Sequence, residues 1–333
     1  MTLCDNQGVL NATVNLTSQR EQESLAGALT KALATLTGAN NICVYRIGSE
    51  LGRLSAKILA STNPLEPDGC HLTSLESRQG LKSCINSKQP ALLEQNGALK
   101  VIYPVLEQGN VVGMLALEYT NPAEPPHDLI QALVSIYTNQ QSLLNHQQRD
   151  GLTGLFNRSS LQNWVSKTLS GTEHGERRHS VNASLGCFVM FDIDYFKRIN
   201  DSHGHLYGDE VLLTFADLMR ESFRFNDLLF RYGGEEFVAI FNDTELDAAL
   251  SVLERFRTTV SQYKFGQINQ VTVTIGVACI TPDLQAEVLI NRADKALYYG
   301  KEHGRNQVNA YEWLEQGKIL PSMDDHPHTI KLF

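Results

Sequence analysis

The sequence contains no Cys-x-x-Cys pair and no close Cys/His spacing of the kind that binds zinc, so no zinc module is read from it. Its six cysteines (Cys4, Cys43, Cys70, Cys84, Cys187 and Cys279) are scattered and read as reduced, mostly packed thiols. Nor do Cys43, Cys70, Cys84 and His71 gather into a haem or redox pattern, so no ligand follows from them. No stretch approaches the roughly 18 apolar residues that a membrane span needs. The amino terminus has no basic run followed by an apolar one, which excludes a secretory signal on this reading and gives a cytoplasmic expectation. Positive charge is also in deficit. Lys and Arg total 28 against 37 for Asp and Glu, a net charge of −9, so the chain has no general attraction for nucleic acid.

What is present is ordinary globular material for two cores: 333 residues, 42% hydrophobic and 20% charged. After a polar start, "SLAGALTKALATL" places Leu25, Leu29, Ala32, Leu33 and Leu36 at helical spacing. Short β-rich runs follow ("NICVYRI", "LSAKILAS", "PALLEQ"), then two apolar runs about a Gln108-Gly109-Asn110 turn. They predict an antiparallel sheet flanked by helices, and their order resembles GAF-type sensory domains, small α+β modules that enclose a ligand. That resemblance covers residues 1–124 and implies a small ligand or signal there.

Asn121, Pro122, Pro125 and Pro126 break the chain before a helix spanning residues 125–149. Leu129, Leu133, Ile136, Gln140 and Leu143 alternate spacings of four and three along it. Such a seam serves either as a face packed on its own domain or as a parallel dimer stalk, the reading taken here. Beyond Asp150 the rhythm becomes α/β. "GLTGLFNRSSLQNWVSKTL" has a helical face of Leu155, Leu161, Trp164 and Leu169, and a polar loop, "GTEHGERRHSVNASLG", follows. "CFVMFDID" is a buried strand ending in two acids, and "LLFRYGGEEFVAIF" is a hairpin. Residues 313–333 read as a poorly ordered tail.

Asp192 and Asp194 end one strand, and Glu235 and Glu236 occupy the hairpin tip. Taken singly, the aspartates are read as caps and the glutamates as solvated turn residues. If the strands are neighbours, the carboxylates form a hard-oxygen site for Mg²⁺, which accepts one or two carboxylates plus phosphate and water. Lys197 and Arg231 lie near the acids in sequence, and Lys301 and Arg305, at successive turns of one helix, share a face. Either that face is merely solvated, or acids for a metal and bases for phosphate together bind a nucleoside triphosphate. Gly233 and Gly234 would then let phosphates approach the backbone.

Four motifs occur in order: "DGLTGLFNR" (150–158), "DIDYFKRINDSHGHLYGD" (192–209), "RYGGEEF" (231–237) and "ADKALYYGKEHGRN" (293–306). In these the chain resembles the GGDEF family of diguanylate cyclases, over residues 150–312. The resemblance implies a palm-like α+β domain that condenses two GTP into cyclic di-GMP and two pyrophosphates as a homodimer. Asp192, the Ile193 carbonyl, Glu235 and Glu236 would hold Mg²⁺, with Mn²⁺ as the alternative ion. Glu235 would also accept the proton of the attacking hydroxyl, and for Asp194 the alternatives are a ligand and a buttress of the turn. Asn200 and Asp209 would read guanine with His205 nearby. Lys197 would steady the transition state, and Arg231, Lys301 and Arg305 would contact phosphate. Arg224 and Asp227 of "RFND" match the family's inhibitory product site, against the alternative of an ordinary salt bridge. Two other classes stay open: a cyclic di-GMP receptor without activity, and an adaptor acting through the first domain.

Overall fold

The computed structural model describes residues 3–50, 53–63, 73–74, 79–95, 98–107, 109–120, 125–169, 186–266, 268, 270–281 and 284–317. The chain divides into two compact units, at residues 147 and 148.

The first unit is a six-stranded sheet in the order β3-β2-β1-β6-β5-β4. Its strands are β1 (Asn41–Glu50), β2 (Arg53–Ser61), β3 (Thr73–Ser74), β4 (Ala91–Gln95), β5 (Ala98–Glu107) and β6 (Asn110–Tyr119), all paired antiparallel. Both faces are covered, which is why these strands read as near-continuous apolar runs. Val44, Val101, Tyr103, Leu115 and Leu117 pack with the helices α1 (Leu3–Ser18), α2 (Gln22–Thr37) and α4 (His127–Gln148). Cys43, Tyr45, Ile102 and Met114 pack on the other side with Leu81 and Cys84 of α3 (Gln79–Ser87).

Helix α1 was not expected from the polar start. It is anchored by Ala12 and Leu16 and leaves Leu10 and Val14 exposed, so its sequence carries little helical stripe. Helix α4 packs on its own unit through Ile130, Leu133, Val134, Tyr137, Gln140, Gln141 and Leu144. The expected seam is therefore split: Leu133 and Gln140 belong to this buried face, whereas Leu143 is 59% exposed. Gln108, Asn121, Pro122, Cys70 and His71 lie outside the described residues, as does residue 4's side chain.

The second unit is a five-stranded sheet in the order β11-β10-β7-β9-β8. Its strands are β7 (Gly186–Ile193), β8 (Leu228–Arg231), β9 (Glu236–Asn242), β10 (Val273–Ile280) and β11 (Val308–Ala310). All eight residues of β7 are buried. Val189, Phe191 and Ile193 face a core shared with α7 (His205–Ser222) and α8 (Leu246–Gln262), while Phe188 and Met190 face α5 (Arg158–Leu169) and α9 (Ala286–Glu302). Leu155, expected on the face of α5, precedes that helix and packs into the opposite core. The polar loop quoted above lies outside the described residues up to Gly186.

The short α6 (Phe196–His203) has an apolar face of only two residues, Phe196 and Ile199, and it too was not anticipated. At the other end α10 (Tyr311–Gln316) crosses the expected tail boundary: Leu314 is buried and the Glu312 carboxylate accepts the Cys279 N–H at 2.8 Å. From residue 318 onward the tail is outside the described residues. No helix among the described residues is long and apolar enough to cross a membrane.

Helix α9 approaches the sheet at Gly276 of β10, where a Cβ would lie 2.2 Å from the Ala293 carbonyl oxygen and 2.4 Å from the Leu297 nitrogen. Both are backbone atoms, so the helix itself would have to move. Gly276→Ala is therefore expected to lower unfolding stability by about 1–3 kcal/mol, read as a lower urea midpoint.

Candidate active site

The antiparallel register sets Asp192 of β7 between Thr274 of β10 and Glu236 of β9. One residue on, the Ile193 N–H donates to the Glu235 carbonyl at 3.3 Å, which closes the hairpin tip against the end of β7. The strands carrying the two acid pairs are thus neighbours, and Asp192, Glu235 and Glu236 converge at one edge of the sheet.

Lys301, in the last turn of α9, reaches Asp192 Oδ2 at 2.6 Å. Burial pushes the Asp192 carboxyl up, the Lys301 ammonium opposes that push, and Asp194 adds to it; the net direction is upward. Glu235 is raised likewise, by burial first and then by the charges of Asp192 and Glu236, with Lys301 opposing. Crowded carboxylates that resist ionisation are relieved by a cation, and oxygen donors suit Mg²⁺. Among the described residues no group of three or more His, Cys, Asp or Glu side chains is set to hold a metal ion alone.

Asp194 lies at the same edge with a different environment. It is 4% exposed, and its carboxylate accepts from the hydroxyls of Thr272 (2.7 Å) and Thr274 (2.6 Å) and from the Asn306 N–H (3.0 Å). Its acceptor capacity is spent on structure, so of the two alternatives the buttress is the one its contacts fit.

Other expected residues fall into separate groups. Asn200, on α6, is brought against α7 by Gly208: a Cβ there would sit 1.9 Å from Asn200 Oδ1. Asp209 is the next residue of α7, and His205 begins that helix one turn earlier; both are exposed. Lys197 is exposed in the first turn of α6. The Arg224 N–H donates to Asp227 Oδ2 at 2.8 Å, and Asp227 N–H returns a bond to the Arg224 carbonyl, making a compact turn before β8.

One expectation is corrected, and the surroundings of two other residues are defined. The Arg231 guanidinium pairs with Asp150 at 3.1 Å and donates to the carbonyls of Gly233 (3.2 Å) and Gly234 (2.9 Å), so it braces the hairpin that carries Glu235 and Glu236. Lys301 and Arg305 do not share a helix face, because α9 ends at Glu302 and Gly304 turns the chain at φ 109°. Gly233 lies against the Glu236 carboxylate, where a Cβ would sit 2.6 Å from Oε2, whereas a Cβ at Gly234 would meet nothing within 4 Å.

Asp150 was quoted in a motif but given no role. Burial would raise its carboxyl, yet bonds from the Thr153 N–H and hydroxyl and from Arg231 outweigh that and hold it below the usual range. An acid and an arginine 81 residues apart carry no spacing signal that would pair them.

Removing the Asp194 carboxylate in Asp194→Ala takes the acceptor from the fully buried Thr274 hydroxyl and leaves the Asn306 N–H only its 3.2 Å bond to the Thr274 oxygen. A loss of about 1.5–3 kcal/mol is expected, measured as a shift of the denaturation midpoint.

Residues 147–307 match the family model described as "Diguanylate cyclase, GGDEF domain". The chain is 38% identical over 197 residues to diguanylate cyclase DgcM of Escherichia coli, covering 58% of this chain and 46% of that protein. It is 34% identical over 225 residues to diguanylate cyclase A of Treponema denticola, covering 62% and 57% respectively. The chain thus spans about half the length of these curated relatives. Among solved structures, the coiled coil and GGDEF domain of DgcB from Caulobacter crescentus, in complex with c-di-GMP, aligns at 28% identity with a TM-score of 0.47, covering 55% of this chain and 96% of that one. Residues 147–307 of this protein form a GGDEF domain of the diguanylate cyclase family.

Proposed function

We propose that the protein is a diguanylate cyclase that condenses two GTP into cyclic di-GMP and two pyrophosphates. The observation that carries this reading is the meeting of Asp192, Glu235 and Lys301 at one sheet edge inside the GGDEF segment. Each catalytic domain binds one GTP, so two domains of a homodimer must face each other. The 3′-oxygen of one nucleotide bonds to the α-phosphorus of the other as the α–β bridge breaks, and the step is repeated in the opposite sense.

Asp192, the Ile193 carbonyl, Glu235 and Glu236 would hold Mg²⁺ or Mn²⁺, which when bound neutralises triphosphate charge and acidifies the attacking hydroxyl. Glu235 takes the hydroxyl proton; burial and neighbouring acids raise its proton affinity, which suits a base. Asn200 and Asp209 accept and donate at the guanine edge, held side by side by Gly208, with His205 one turn before Asp209. Lys197, Lys301 and Arg305 supply positive charge to the phosphates, and Arg231 acts by bracing the hairpin. Positioning supplies much of the rate.

The first unit is read as a GAF-like sensory domain for a small ligand, on the support of its antiparallel sheet with helices on both faces. It would set how often two half-sites meet, through the dimer. The consumption of GTP suits a cytoplasmic site of action. Arg224, exposed, and Asp227, half-buried, form a compact turn that suits a product site, where the guanidinium pairs two acceptors of cyclic di-GMP. The competing reading, a cyclic di-GMP receptor without activity, rests on that same turn.

Purified full chain given GTP and Mg²⁺ is expected to yield cyclic di-GMP, identified by mass spectrometry; binding without synthesis would favour the receptor. Glu235→Gln keeps the size and removes the charge. Product formation should fall by a factor of at least about 100 with an unchanged circular dichroism spectrum, and turnover within a few-fold of wild type would remove Glu235 from the chemistry.

Arg224→Ala is expected to leave initial rates near wild type and to straighten progress curves that otherwise slow as product accumulates. Equal slowing in both proteins, with unchanged cyclic di-GMP affinity by calorimetry, would assign Arg224 to local structure.

A further inference from the structure

Tyr195 is an odd residue where it stands. Its φ is 57°, a left-handed backbone that a bulky side chain rarely adopts, and it is 50% exposed, so neither local preference nor burial accounts for it. A second left-handed stretch, Arg305 (φ 63°) and Asn306 (φ 47°), lies beside it although 110 residues away in sequence. Non-glycine residues persist in such conformations only where their surroundings over-determine them.

Here the determinant is Asp194. It precedes Tyr195, and its carboxylate accepts the Asn306 N–H, while the Arg305 N–H is held by the Gly300 carbonyl at 2.9 Å. Both backbones are thereby pinned, and the consequence is a contact between side chains. The Arg305 guanidinium carbon lies 4.6 Å from the Tyr195 ring centroid, and Arg305 also donates to the Tyr195 hydroxyl at 3.3 Å. Arg198 shares the ring, also at 4.6 Å.

An aromatic face attracts a guanidinium without neutralising it. Unlike Lys301, whose charge is answered by Asp192, Arg305 is thus held by this ring in a way that leaves its positive charge available beside the acids. Arginine otherwise loses much rotamer freedom when it grips an anion, and a side chain held beforehand avoids that cost.

We propose that Tyr195 is a positioning residue: its ring and hydroxyl hold the Arg305 guanidinium ready for the phosphates of a bound nucleoside triphosphate. The proposal rests on the reading of this unit as a GTP-using enzyme, and its test separates the two.

Calorimetry on the full chain uses guanosine 5′-(α,β-methylene)triphosphate, whose α–β bridge cannot be cleaved, so affinity is read without turnover. Tyr195→Asn, which tolerates the left-handed backbone, should weaken binding roughly 5–20-fold. Tyr195→Leu, apolar and of fair bulk but without a π face, should lose as much. Tyr195→Phe, which keeps the ring and loses only the hydroxyl bond, should stay within about threefold of wild type. In an Arg305→Ala background Tyr195→Asn should cost nothing further, since the two act as one unit. In turnover assays the loss should appear in KM for GTP with kcat nearly unchanged.

Wild-type affinity in both Tyr195→Asn and Tyr195→Leu would overturn the proposal, as would full additivity with Arg305→Ala or no binding of the analogue by wild type. Leu retaining affinity that Asn loses would assign the effect to bulk and overturn it equally. A wild type that binds the analogue but makes no cyclic di-GMP would sink the enzymatic reading alone, and the variant affinities would still decide this one.

Discussion

One buried carboxylate organises the end of the second unit's sheet. Asp194 ties the end of β7 to the start of β10 and to the turn after α9, through two hydroxyls and a backbone N–H. A charge removed from water is tolerated only when its acceptor capacity is met by good donors, and here it is. Once that clasp is made, the neighbouring acids have little freedom over where they lie. Asp192, buried, and Glu235, half-buried, are then left in the opposite condition, close to like charge and answered chiefly by Lys301. The same edge therefore holds one acid satisfied by structural donors and others crowded by like charge, and environment alone distinguishes them.

Sheet order explains how residues distant in sequence share this edge. With β7 flanked by β9 and β10, the acids of one strand end meet the hairpin tip on one side and the approach to Lys301 on the other. Helix α9 can deliver Lys301 only because Gly276 lets its backbone descend onto β10. Gly208 does similar work between α6 and α7, where it admits the Asn200 amide. Arginines divide by geometry as well. Arg231 spends its donors on Asp150 and on the hairpin's carbonyls, whereas Arg305 rests on an aromatic ring beside the acids.

In the first unit the antiparallel sheet is covered on both faces, and α4 contributes to one of them. Its buried positions advance by three and four residues, so the spacing that marks a coiled-coil seam also marks a helix lying on a sheet. Spacing cannot choose between them, since both require one apolar stripe. The exposed Leu143 shows that stripe and seam are not the same set of residues.

The sequence by itself determined the elements with strong patterns. These were the uninterrupted β7, the hairpin around Gly233 and Gly234, the amphipathic α2, and the acids and bases carried by four motifs in order. Local periodicity and composition are properties of neighbouring residues and survive without the fold. What only the tertiary structure decided were pairings across long separations: Asp150 with Arg231, Asp194 with Thr272, Thr274 and Asn306, and Tyr195 with Arg305. It also decided the weakly patterned helices α1, α6 and α10, whose stability comes from the surfaces they cover. A carboxylate in a sequence has no environment. Whether it becomes a clasp, a brace or a base depends on which donors and charges the fold brings within a few ångströms, and no local pattern encodes that distance.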